Sequence, residues 1–261
     1  MRKHFGRTVL GLLALVLLGV SSSAADQASG PASRPAASRP ALPQLDPTVP
    51  AIKVDGASLR GAVFTKRHED FVKIAKAGNV DLLFLGDSIT DFWAGAGKNV
   101  WAQHYQPLKA ANFGIAGDQT QHVLWRIQNG ELEGIAPKVV VVMLGTNNLE
   151  TCNSDAAIAA GVEAIVKTVR DKLPQSKILL LGIFPRGEKP NANRDRIKNI
   201  NAIIAKLEDG KNVKYLDIGD KFLQPDQTIS KEVMADSLHP TAKGYQIWAE
   251  AMQETLDAMM K

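Results

Sequence analysis

Ser88, Asp236 and His239 are the residues whose types and settings fit nucleophilic chemistry on an acyl group. Ser88 stands in "LLFLGDSIT", directly after an apolar run, and Asp236 and His239 lie three residues apart in "MADSLHPTAKGY". A serine hydroxyl attacks a carbonyl at neutral pH only when a base takes its proton, and imidazole has the pKa for that task. The imidazole needs a partner on its other nitrogen to fix tautomer and orientation, usually a carboxylate, and a single turn brings the two side chains together. The oxyanion formed on attack needs donors already in place. "NFGIAGDQT" offers the backbone N–H of Gly117, "LGTNN" the side-chain amide of Asn147, and Ser88 its own N–H. Gly117 carries no Cβ to obstruct the approach of a substrate. Each segment alone also has a plainer reading: Asp87 or Ser88 caps a helix, Gly114 and Gly117 make turns, Asn147 and Asn148 make Asx-turns, and a lone histidine is structural.

The elements that must bring these residues together follow from hydrophobic periodicity. Short apolar runs over Val80–Leu85, Ala110–Ile115, Lys138–Leu144, Lys177–Ile183 and Val213–Ile218 read as strands. Helical patterns lie near Thr65–Ala77, Thr120–Gly130, Asp155–Leu173, Asn193–Glu208 and Thr241–Met260. The third is clearest, with Ile158, Val162, Ile165, Val169 and Leu173 at helical spacing and Pro174 after it. Strand–helix alternation with short connections predicts an α/β domain with a parallel sheet and helices on both faces. Right-handed crossovers then put every strand's carboxyl end on one edge, where such folds bind ligands. Ser88, Gly117 and Asn147 follow three consecutive strands and share that edge.

With 261 residues the chain can bury one sizeable core. Residues 1–25, with Arg2, Lys3 and Arg7 before an apolar stretch from Val9 to Val20 and small residues at Ser23-Ala24-Ala25, read as a cleavable export signal. The apolar stretch is shorter than a membrane span of roughly 20 residues, so no stable membrane insertion is expected after cleavage, and the expected address is secreted or periplasmic. No cysteine follows it to carry a lipid anchor. Residues 26–52 are dense in Pro, Ala and Ser and read as a linker outside the fold, which leaves 53–261 as the folded domain. Loss of the signal lowers the formal net charge from +4 to +1, so nucleic-acid binding has no electrostatic support. Cys152 is the only cysteine, which excludes an internal disulfide, and "ETCNSD" gives it no nearby His to make it a nucleophile.

Four ordered blocks, "GDSIT", "NFGIAGDQTQHVLWRIQNGELE", "VVVMLGTNN" and "DSLHPTAKGY", resemble those of the SGNH (GDSL-type) hydrolases, in particular the branch containing the platelet-activating-factor acetylhydrolase catalytic subunits. The likeness covers roughly Thr65 to Met252. It implies a three-layer α/β/α sandwich with a flavodoxin-like sheet. It also implies Ser88 as nucleophile, Asp236 and His239 as its triad partners, and the Ser88 N–H, Gly117 and Asn147 as oxyanion donors. Block one reads GDSI where the family has GDSL, a conservative change. The activity implied is hydrolysis of short-acyl esters, acetyl above all, through an acyl-enzyme, without metal or cofactor. An export signal points the substrate towards small-molecule or glycan esters such as O-acetylated polysaccharide. A lysophospholipase or short-chain phospholipid deacylase is the nearest alternative, and a glycan-binding module without turnover is the alternative from another class. The resembling subunits form dimers, and a homodimer is an open option.

The remaining motifs divide similarly. His68, His104 and His122 have no metal-ligand spacing and read as surface or core residues. "GAGKN" at Gly95–Asn99 lacks the rest of a phosphate loop, and no G-x-S-x-G surrounds a serine. Trp93 and Trp101, shortly after the nucleophile, are candidates for the wall of the substrate pocket, with Trp125 equally suited to packing. Phe184–Arg196 is either a substrate-contact loop or a solvated connector.

Overall fold

Five short strands carry the domain: β1 (Leu82–Gly86), β2 (Ala110–Gly114), β3 (Val139–Met143), β4 (Lys177–Leu181) and β5 (Val213–Leu216). The computed structural model describes residues 45–53 and 59–261, so the expected export signal lies outside the described residues. All four strand pairings are parallel, in the order β2-β1-β3-β4-β5. This is the flavodoxin-like order that the sequence resemblance implies.

Both faces of the sheet are covered, which explains why the strands are apolar runs instead of alternating ones. Leu83, Leu85, Phe113, Val140, Val142, Ile178 and Leu180 face one core. The helices α1 (Leu59–Ala77), α4 (Thr120–Gln128), α5 (Asp155–Lys172) and α6 (Ala192–Ile204) pack there through Phe71, Ile127, Ile165 and Ile200. Leu82, Phe84, Val139, Val141, Met143, Leu179 and Leu181 face the other core, covered by α3 (Lys98–His104) and α7 (Ala242–Met260). Trp248, Met252 and Leu256 recur along α7 at helical spacing, and all three are buried.

Register fixes the edge that carries Ser88. Gly86 pairs with Gly114 on one side and Met143 on the other, so β1, β2 and β3 end level. The short helix α2 (Ser88–Asp91) starts immediately above them. A Cβ on Gly86 would stand 2.7 Å from the Met143 carbonyl, and one on Gly114 only 2.2 Å from the Asp91 nitrogen. These glycines serve close packing of α2 onto the strand ends.

Two sequence expectations need correction. The reading of residues 26–52 as a linker outside the fold does not hold for Leu45–Ile52, which lies on the domain, and residues 26–44 lie outside the described residues. Asn153 Nδ2 donates to the Leu45 carbonyl at 3.2 Å, Thr120 Oγ1 to that of Pro47 at 3.0 Å, and the Ala51 N–H to that of Gln121 at 3.1 Å. Its composition reads as unstructured because its partners are side chains and carbonyls of the distant domain. The helix α3 is an addition to the helices expected, since "GAGKNVWAQH" shows little apolar periodicity.

Candidate active site

The turn that carries His239 is shaped by Asp236. One carboxylate oxygen, Oδ1, accepts the backbone N–H groups of Leu238 (3.1 Å) and His239 (2.8 Å), while Ser237 adopts the left-handed region at φ 59°. The other oxygen, Oδ2, lies 2.6 Å from His239 Nδ1. A carboxylate accepts and cannot donate, so Nδ1 carries the proton and Nε2 presents its lone pair. Nε2 lies 2.9 Å from Ser88 Oγ. Partial burial pushes the Asp236 carboxyl up, but the bonds from the His239 ring and from the backbone of His239 and Leu238 outweigh it and hold the pKa below its usual value. Phe92 backs the imidazole, with ring centroids 5.0 Å apart.

Ser88 itself opens α2. Asp87 caps this helix, with Oδ1 accepting the Ile89 N–H at 2.9 Å, and Oδ2 is buried without a hydrogen-bond partner among the described residues. Burial pushes the Asp87 carboxyl up to about 7, reinforced by the negative charge of Asp118 and opposed by the Ile89 N–H. At neutral pH this carboxyl is therefore substantially protonated. It braces the turn through the Ile89 N–H and forms no hydrogen bond to the imidazole among the described residues.

Gly117 and Asn147 line the same cleft as Ser88 and His239, a space of about 440 Å³. Gly117 has φ +77°, a conformation that disfavours any residue with a Cβ. Asn147 Nδ2 gives one hydrogen to the Asp118 carbonyl at 2.8 Å. The amide has two hydrogens, so a second remains for a group in the cleft. The structure thus brings Ser88, Gly117, Asn147, Asp236 and His239 to one edge.

Trp93 is corrected. It is fully buried in an aromatic cluster with Phe84, Tyr105, Tyr245 and Trp248, and does not line the cleft. Its neighbour Phe92 takes the wall position instead, because one step along the 3-10 turn Phe92–Ala94 rotates a side chain by about 120°. Trp101 packs into the same aromatic cluster, and Trp125 packs against Phe64 and His68. Cleft residues missed by sequence reasoning include Val63, Arg67, Asp91 and Leu238. Arg67 Nη2 donates to Asp91 Oδ1 at 2.7 Å and to the Gly114 carbonyl at 2.8 Å. Leu238 had a signal, its place between two singled-out residues. Arg67 had none.

The Phe184–Arg196 segment is a brace rather than a solvated connector. The Gly187 N–H donates to the Ser237 carbonyl at 2.8 Å, and Arg186 Nη1 to the Thr146 carbonyl at 3.1 Å. Buried Arg194 ties the Arg186 and Gly187 carbonyls together. The segment thereby joins the turn holding Asp236 to the loop holding Asn147. Of the histidines elsewhere, His68 Nδ1 pairs with Glu131 at 2.9 Å and His122 Nδ1 accepts the Gln119 N–H at 3.1 Å. Among the described residues no group of three or more His, Cys, Asp or Glu is arranged to hold a metal ion.

The chain and its fold have counterparts among known proteins. The family model of the GDSL-like lipases and acylhydrolases matches residues 84–247. The platelet-activating factor acetylhydrolase IB subunit alpha2 of Rattus norvegicus is 42% identical over 196 residues, which is 75% of this chain and 84% of that protein. A GDSL-like lipase from Bacteroides thetaiotaomicron superposes with a TM-score of 0.61 at 17% identity, covering 76% of this chain and 98% of that one. An acetyl-xylooligosaccharide esterase from Geobacillus Stearmophilus superposes with a TM-score of 0.54 at 20% identity, covering 69% and 95%. The chain belongs to the GDSL-like lipase/acylhydrolase family and is an ester hydrolase.

Proposed function

We propose that the chain is an exported serine esterase for short-acyl esters, with Ser88 as nucleophile. The observation that carries this reading is the unbroken line from Ser88 Oγ through His239 to Asp236, at 2.9 and 2.6 Å. As Ser88 Oγ bonds to the ester carbonyl carbon, its proton passes to His239 Nε2 and the carbonyl π electrons move onto oxygen. The N–H groups of Ser88 and Gly117 and the second Asn147 amide hydrogen receive that oxyanion. Asp236 stabilises the imidazolium across Nδ1. On collapse the C–O bond to the alcohol breaks, and the leaving oxygen takes the proton from Nε2. Water then gives its proton to Nε2 and attacks the acyl-serine, and Ser88 leaves with that proton restored, releasing the carboxylic acid.

Acetyl as the acyl group is supported by the names of the matched relative and of the acetyl-xylooligosaccharide esterase, and export by the pattern of residues 1–25. Acetylated glycan is the substrate class that combines the two. A second reading, hydrolysis of lipid esters, is favoured by the apolar rim of the cleft, where Val63 is 54% and Phe92 37% exposed. Rates on p-nitrophenyl esters from two to sixteen carbons separate them. The first reading expects an acetyl optimum and no turnover by Ser88→Ala. A long-chain optimum supports the lipid reading, and undiminished turnover by Ser88→Ala refutes both. Failure of a serine-directed phosphonate to label Ser88 would favour a binding module without turnover.

A further inference from the structure

The reaction just described depends on how firmly the Gly117 peptide N–H is aimed, and Gly117 lies in a three-residue stretch held by a side chain from outside the sheet. Lys53 belongs to the N-terminal segment Leu45–Lys53. Its ammonium donates to the Ala116 carbonyl at 2.8 Å and to Asp118 Oδ1 at 2.8 Å, so it grips the residues on both sides of Gly117. A Cβ built on Gly117 has Lys53 Nζ as its nearest heavy atom, at 3.5 Å. The Lys53 side chain is 9% exposed and that of Asp118 is fully buried. A lysine is rarely buried to this degree without a paired charge, and here the pair is direct.

Both ends of this grip are fixed. On the loop side, Asp118 Oδ2 accepts Arg126 Nε at 2.9 Å. Arg126 is wholly buried, pairs with Glu131 and donates to the Phe113 carbonyl at 3.0 Å. On the strap side, the bonds to the carbonyls of Leu45 and Pro47 and from the Ala51 N–H anchor the segment to Asn153, Thr120 and Gln121. Lys53 Nζ also lies 5.7 Å from the centre of the Phe64 ring. Glycine at 117 supplies the left-handed backbone but, with no Cβ, is also the residue of the three whose φ and ψ are least restricted by its own side chain. The ammonium compensates by binding the carbonyl before it and the carboxylate after it.

We infer that Lys53 is a positioning residue for catalysis: through Ala116 and Asp118 it fixes the peptide N–H of Gly117 towards the oxyanion, so the strap Leu45–Lys53 is a working part of the active site. This inference rests on the serine-esterase reading. Lys53 touches no reacting atom, and its effect is confined to states that carry the oxyanion. Loss of its ammonium therefore lowers kcat, not substrate affinity.

The test compares the full-length parent with Lys53→Met, Lys53→Gln and Lys53→Arg on p-nitrophenyl acetate, alongside inhibition by phenylboronic acid, which forms a tetrahedral anionic adduct on a serine. Removing one oxyanion donor outright costs 10²–10³ in kcat, so misaligning one is expected to cost about tenfold. Lys53→Met and Lys53→Gln should lose about tenfold in kcat, with KM within about twofold of the parent, and should bind the boronic acid about tenfold less tightly. Lys53→Arg, which restores a cation, should recover most of the loss. Thermal unfolding confirms that each variant assayed is folded, and the Gln variant carries the comparison if the Met variant is not. A folded Met or Gln variant with kcat within twofold of the parent refutes the inference and leaves the esterase reading intact. So does a loss confined to KM or to melting temperature. A parent without turnover refutes the esterase reading, and the inference falls with it.

Discussion

Replacing Asp87 by Asn should remove a specific part of the pH dependence of stability. In the folded chain Asp87 is fully buried, and its carboxyl is pushed from the ordinary 3.8 up to about 7, burial being the largest cause. A raised carboxyl pKa means the folded state holds a proton that the unfolded state has released. Stability from this group is therefore complete below about pH 4 and is lost as pH rises to about 7. At about 1.4 kcal/mol for each pH unit between the folded and unfolded pKa, the total loss across the whole interval is about 4 kcal/mol. Between pH 5 and pH 8 the share lost is about 2–3 kcal/mol. Asn keeps the oxygen that accepts the Ile89 N–H and does not titrate. It puts an amide nitrogen where Oδ2 has no partner, at a cost of about 1–3 kcal/mol that is the same at every pH. The quantity to measure is thus the parent-minus-variant difference in unfolding free energy by urea at pH 5, 6, 7 and 8. It should move by about 2–3 kcal/mol in favour of the variant as pH rises. A difference flat to within about 0.5 kcal/mol would show that Asp87 ionises normally and that its carboxyl has a partner or solvent.

Asn147→Ala should lower kcat on p-nitrophenyl acetate by 10²–10³ with little change in KM, the usual effect of losing one oxyanion donor. A loss below about threefold would remove Asn147 from that role and leave it as a support for the Asp118 carbonyl. Arg126→Met should cost about 3–5 kcal/mol in urea unfolding at pH 7, because it leaves the buried carboxylates of Asp118 and Glu131 without their shared partner. A cost under about 1 kcal/mol would mean that their remaining partners, Lys53 and His68, suffice to hold those carboxyls.

What can be read from sequence, and what cannot, divides along a physical line. Strands and helices are legible because their signals are local: the continuous apolar run of β3 and the helical spacing of Ile158, Val162, Ile165 and Val169 need no knowledge of partners. The edge carrying Ser88, Gly117 and Asn147 is legible because parallel topology turns sequence order into spatial order. Trp93 departs from expectation because nearness to Ser88 along the chain is not nearness across a helical turn, and its ring goes to the core beneath α7. The charges are the least legible. A lone Lys, Asp, Arg or Glu in a sequence reads as solvated, since desolvation is costly for each taken singly. Lys53, Asp118, Arg126, Glu131 and His68 escape that cost only by meeting one another, across segments that no periodicity relates. Hydrophobic pattern therefore determines where the sheet edge lies, and the buried ion pairs hold the peptide groups on it at fixed angles. The first task is met by side chains acting independently. The second needs all its members at once, so no window of sequence contains it.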